Sequence, residues 1–116
     1  MNETSPLLHV ARRVDLERAR GEGLYRCASL ETEGFIHCCE PDQLAGVIAR
    51  YYADVDELVL LTLERAALGA EIRHEGAHAG AERFPHVYGP IELAAVREET
   101  PFGTDDPARK RLTGSD

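Results

Sequence analysis

Leu58 to Leu63 (L-V-L-L-T-L) is nearly all apolar. A run of six such residues suits a central β-strand covered on both faces. A strand buried on both sides needs a layer above it and a layer below it. The chain has 116 residues, enough for one domain and too few for two ordinary ones. With 43% hydrophobic residues it can build those layers without metal or disulfide help. There is no Trp, so the core draws mainly on Leu, Val, Ile and Ala.

Other elements fall around that strand. Pro6 to Ala11 (P-L-L-H-V-A) reads as a first strand. Val14 to Arg20 reads as a short helix with Asp15 and Glu17 in its first turn, where the helix dipole favours acids, and Gly21 and Gly23 are expected to stop it. Leu24 to Ala28 is a candidate short strand, E-T-E-G a turn, and Phe35 to Cys39 (F-I-H-C-C) a second apolar strand. Pro41 suits the first position of a helix. Leu44, Val47, Ile48 and Tyr51 then recur at the spacing of one buried helical face, ending near Tyr52.

Glu71 to Glu75 reads as a strand and Gly76 to Arg83 as a mobile loop. Phe84 to Ile91 (F-P-H-V-Y-G-P-I) is a strand bracketed by Pro85 and the Gly89–Pro90 break, and Ala94 to Glu99 is a last strand. The connections after Gly69 lack helices, which predicts an α+β domain with a mixed or mostly antiparallel sheet. Residues 1–100 form that single domain. Residues 101–116 carry Pro, Gly and mixed charge and read as a disordered tail.

The formal net charge is −8. An acidic chain repels phosphate backbones, so nucleic acid is not an expected partner. The N-terminus shows no basic region followed by an apolar stretch, so no signal peptide is expected. The longest apolar run is too short to span a bilayer, so no membrane partner is expected either. Cys38 and Cys39 are neighbours, and a disulfide between them would be strained. Three cysteines, Cys27 included, point to a reducing cytoplasm.

His74-Glu75-Gly76-Ala77-His78 matches H-E-x-x-H. Zinc chemistry needs both histidines on one helical face. Here the motif straddles a strand end and a Gly-rich loop, so it reads as a chance match and no metal site is expected. The cysteines lack C-x-x-C spacing and read as buried thiols.

Three histidines lie on three candidate strands. His9 shares a face with Leu7 and Ala11, His37 with Phe35 and Cys39, and His86 with Tyr88. A buried imidazole needs partners for both ring nitrogens. An accessible one is suited to proton transfer near neutrality. A shared pocket would use them together, with Tyr88 offering a flat face and a hydroxyl.

The segments L-L-H-V (Leu7 to Val10), E-G-F-I-H-C (Glu33 to Cys38), Gln43, a strand ending in Glu75, and F-P-H-V-Y-G-P (Phe84 to Pro90) together resemble the bacterial domain of unknown function 952 family. The resemblance runs from about Pro6 to Val96. It departs from the family pattern at Cys39, where Ser is usual, and at His74, where Trp is usual.

That family is similar in fold to the ADP-ribosyltransferases, which implies a split mixed or antiparallel sheet with flanking helices around an NAD-binding cleft. By the same resemblance His9 would anchor a ribose, with Gly34, Phe35 and Tyr88 completing the cofactor side. His37, His86 and Glu75 would be the catalytic residues. The implied function is action on, or binding of, NAD or a related nucleotide. The alternative is a non-catalytic module for a small metabolite or a partner protein.

Overall fold

A computed structural model describes residues 5–104 together with Arg109, Arg111 and Leu112. The central element is β4 (Leu58–Leu63), which pairs antiparallel with β1 (Leu7–Arg12) on one side and β8 (Val96–Phe102) on the other. Its alternation feeds two separate cores. Val59, Leu61 and Leu63 pack with Leu7, Ala11, Leu16, Tyr25, Ile36, Val87 and Ile91. Leu58 and Leu60 pack with Leu8, Val10, Leu44, Ile48 and Phe102 on the opposite face. The apolar run is thus covered on both sides, as its composition requires.

A second three-stranded sheet is antiparallel in the order β3 (Ile36–His37), β6 (Phe84–Val87), β5 (Ile72–Glu75). A third, two-stranded ribbon joins β2 (Leu24–Tyr25) to β7 (Ile91–Glu92). The first two sheets meet through one bridge, Leu8 with Cys39. Mixed helices with antiparallel sheets make the chain an α+β domain.

Helix α1 (Arg13–Glu22) runs through Gly21 and ends at Gly23, whose φ of 80° places it in the left-handed region. There the Gly23 N–H caps the Ala19 carbonyl at 2.7 Å. Gly21 is therefore not the stop expected of it: one glycine inside a helix costs about 1 kcal/mol and does not break it. Ala28–Thr32 forms a short helix, α2, where a strand end and a turn were expected. Pro41 begins a 3-10 turn, Pro41–Gln43, that leads into α3 (Leu44–Tyr51). Glu40 and Gln43 close that start as a capping box.

Phe84 to Ile91 is split, not continuous. Strand β6 stops at Val87, and Ile91 pairs with Tyr25 in the ribbon instead. The chain breaks at Gly89, where a Cβ would lie 2.8 Å from that of Ala70. The expected boundary at residue 100 falls inside β8: Phe102 is buried, and Arg109 donates to the carbonyls of Gly103, Tyr52 and Val55. The rest of the expected tail, residues 105–108, 110 and 113–116, lies outside the described residues. No helix of the described residues is long and apolar enough to cross a membrane.

Candidate functional site

The site is built on the outer face of the β3-β6-β5 sheet. Successive strand residues alternate between faces. Ile36 and Val87 point into the core, so Phe35, His37, His86 and Tyr88 point the other way. The register sets His37 opposite His86 and Arg73 next to it. Glu75 shares the face of Arg73, two residues along β5.

Local chemistry fixes the entry to β3. After α2 the chain turns at Gly34, where φ is +90°. The Gly34 N–H bonds the carbonyls of Ser29 and Leu30 at 3.1 Å, and Ser29 Oγ donates to the Phe35 carbonyl at 2.8 Å. A left-handed turn of this kind favours glycine. Gly34 therefore aims Phe35 into the cluster.

The rings interlock. Phe35 stacks on His86 with centroids 4.0 Å apart and planes 15° from parallel, and meets His37 edge-on at 4.9 Å. The His37 and His86 rings are 5.1 Å apart in an edge arrangement. Tyr88 tilts against Phe35 at 5.2 Å, and the Arg73 guanidinium lies over the Tyr88 ring at 4.4 Å.

One carboxylate oxygen ties this group together. Glu75 Oε1 accepts from His86 Nδ1–H at 2.8 Å and from the Tyr88 hydroxyl at 2.6 Å. The hydroxyl of Tyr88, followed by His86, holds the Glu75 carboxyl below its ordinary range. The same bond raises the Tyr88 phenol above its usual value. Because a carboxylate only accepts, His86 carries a proton on Nδ1, and Nε2 is the acceptor in the neutral ring and a second donor in the charged one. His37 is 53% exposed and leans its Nε2 on Glu33 at 3.2 Å. No described residue bonds His86 Nε2, His37 Nδ1 or Glu75 Oε2.

His86 also faces a cleft of about 360 Å³ between the two larger sheets. His37 and His86 form its polar end. Leu8, Val10, Cys39, Val47, Tyr52 and Phe84 form its apolar walls. Tyr51 belongs to this cleft and is 63% exposed, so the last turn of α3 does not bury the full face its spacing suggests.

His9 is not part of this group. Alternation along β1 turns Leu8 and Val10 to the cleft and His9 into the opposite core. There it is 5% exposed, with Nδ1–H donating to the His37 carbonyl at 2.6 Å and Nε2 accepting from Tyr25 Oη at 2.8 Å. Burial depresses its pKa to about 4. Both ring nitrogens are occupied, so no ligand reaches them.

His74 and Glu75 lie on opposite faces of β5, so the H-E-x-x-H segment forms no helical ligand face. His74 leans on Glu40 at 3.3 Å instead. His78 turns back onto the Ala79 carbonyl. The thiols of Cys38 and Cys39 are raised by burial, that of Cys39 to about 12. Strand β3 ends at His37, short of the expected Cys39, and beyond it Cys38 packs in one core and Cys39 in the other.

Sequence reasoning did not single out Glu40 and Arg65. They form a nearly buried pair at 2.5 Å, with Arg65 Nε also donating to the Ser5 carbonyl. Nothing local marks them, because they are 25 residues apart. Gln43, beyond its part in the capping box, also reaches across to the Arg83 carbonyl at 2.8 Å and to Glu82 at 3.0 Å, fastening the loop before β6 to the start of α3.

The pattern of a protein family described as Protein of unknown function (DUF952) matches residues 10–99. Among solved structures, the crystal structure of protein CC0527 from Caulobacter crescentus is similar with a TM-score of 0.73 and 29% identity. That match covers 83% of this chain and 84% of that one. The solution NMR structure of CC0527 is similar with a TM-score of 0.71 and 27% identity, over 84% of each chain. No curated protein matches. The family match spans most of the chain and takes in Phe35, His37, Glu75, His86 and Tyr88: this protein belongs to the DUF952 family.

Proposed function

We propose that the outer face of the β3-β6-β5 sheet binds NAD or a related nucleotide in the manner of an ADP-ribosyltransferase-like domain. One observation carries the reading. A carboxylate, two imidazoles with open ring nitrogens, and two aromatic rings converge at the rim of a cleft. Sugar hydroxyls need acceptors and donors at that spacing, and a planar base needs a ring face. In this reading Tyr88 and Phe35 hold the base. His86 Nε2 and His37 Nδ1 are placed to bond hydroxyls or move a proton. Glu75 orients His86 through Oε1 and keeps Oε2 for positive charge developing on a sugar.

The residues suit the base and ribose of such a nucleotide. For the diphosphate this face offers Arg73, which lies over Tyr88 and is paired with Glu71 at 3.0 Å. His9 takes no part, so the ribose contact expected of the first strand falls to the histidines of β3 and β6. Three unpaired cysteines fit a reducing cytoplasm.

NAD and ADP-ribose should each raise the melting temperature. At one hundred times the dissociation constant the gain is about 2.7 kcal/mol. Glu75→Gln should weaken that effect, since it removes the charge that fixes His86. No shift with NAD, ADP-ribose or AMP would defeat the proposal. The burial of His9 favours a second reading, a binding module without turnover. Nucleotide binding with no product formed by wild type would select it.

A further inference from the structure

The cleft beside the histidines is chemically unlike the polar face outside it. None of its lining residues is Asp, Glu, Lys or Arg. The Cys38 and Cys39 thiols stay protonated, so they bring no charge near neutrality. Tyr51, Tyr52 and Phe84 supply flat walls, and Leu8, Val10 and Val47 supply aliphatic ones. Its volume of about 360 Å³ lies within the range of small-molecule pockets. A phosphate placed there would lose water and meet no cation, which is costly.

We propose that this cleft is a subsite, adjoining the outer face and sharing its two histidines, for a small, uncharged aromatic alcohol, its ring between β1, α3 and Phe84 and its hydroxyl against His37 or His86. The hydroxyl end is set where His37 and His86 meet the cleft. His37 Nδ1 and His86 Nε2 have no protein partner among the described residues, and both histidines line the cleft. The histidines can therefore bond a hydroxyl while the aromatic and aliphatic walls take a ring. This rests on the cleft itself and not on the nucleotide reading. If both hold, the alcohol is the group that would sit beside the nucleotide.

4-Ethylphenol is a suitable probe, with 4-ethylbenzoate as its charged counterpart. Titrated into the full chain and followed by methyl and imidazole NMR, 4-ethylphenol should shift Leu8, Val10, Val47 and the His37 and His86 rings. Its dissociation constant should be on the order of 1 mM or tighter. The benzoate should bind at least about tenfold more weakly, the discrimination expected when a charge must be buried without a partner. Val47→Phe narrows the cleft without touching either histidine and should weaken 4-ethylphenol by at least about tenfold. Shifts scattered outside the cleft, or equal binding of the benzoate, would overturn the proposal. The wild-type shift map decides the matter even where Val47→Phe fails to fold. ADP-ribose, titrated separately, should shift Phe35 and Tyr88. Binding of ADP-ribose without 4-ethylphenol removes this inference alone, and the converse removes the nucleotide reading alone.

Discussion

Tyr25 Oη donates to His9 Nε2 across 2.8 Å, inside a core that excludes water from both side chains. His9 is thereby held neutral, with its pKa depressed by burial to about 4 from 6.5. The unfolded chain takes up this proton near pH 6.5 and the folded one only near pH 4. The contribution is complete above pH 6.5 and is lost as pH falls through that window. Unfolding at pH 5 should therefore cost about 2 kcal/mol less than at pH 7 from this group alone. Urea midpoints at the two pH values measure it, and the part due to His9 should vanish in His9→Gln. An unchanged pH dependence in that variant would show that His9 is not the group responsible.

Arg65 and Glu40 form an ion pair with only 12% and 10% of their side chains exposed. Removing one partner of a buried pair leaves a charge with no water and no counter-ion. Arg65→Met should destabilise the protein by about 3–5 kcal/mol. His74, 3.3 Å from Glu40, is half-exposed and cannot replace the guanidinium fork. Adding Glu40→Gln to Arg65→Met should recover part of the loss. Chemical denaturation of the two variants gives both values, and equal stability of single and double variants would refute the pairing argument.

Two glycines should respond oppositely to alanine. Gly34 sits at φ +90°, so alanine there is strained by about 1 kcal/mol although space is open. The strain falls on the turn that aims Phe35 at His86. Gly46 lies in α3 with ordinary helical geometry and no atom within 4 Å of an added Cβ. Gly46→Ala should stabilise by up to about 1 kcal/mol. Melting temperatures of the two variants should move in opposite directions, and Gly34→Ala should also perturb the ring-current shifts of His86.

Some features of the molecule could be read from local order alone. The apolar run Leu58–Leu63 requires cover on both faces, and it receives it. Pro41 and the i, i+3, i+4 spacing of Leu44, Val47 and Ile48 define α3. F-I-H and F-P-H-V-Y alternate with period two, which already sets Phe35 with His37 and His86 with Tyr88 on common faces. Tertiary structure decided the rest. His9 follows the same alternation, yet only the packing of β1 between two cores shows that its face is the sealed one. The partners Glu75–Tyr88, Glu40–Arg65 and His9–Tyr25 lie 13, 25 and 16 residues apart. Side-chain partnership at such separation depends on strand register and sheet order, which periodicity along one segment does not encode. The division of labour is physical: short-range pattern selects which face a side chain takes, and long-range pairing selects what it meets there.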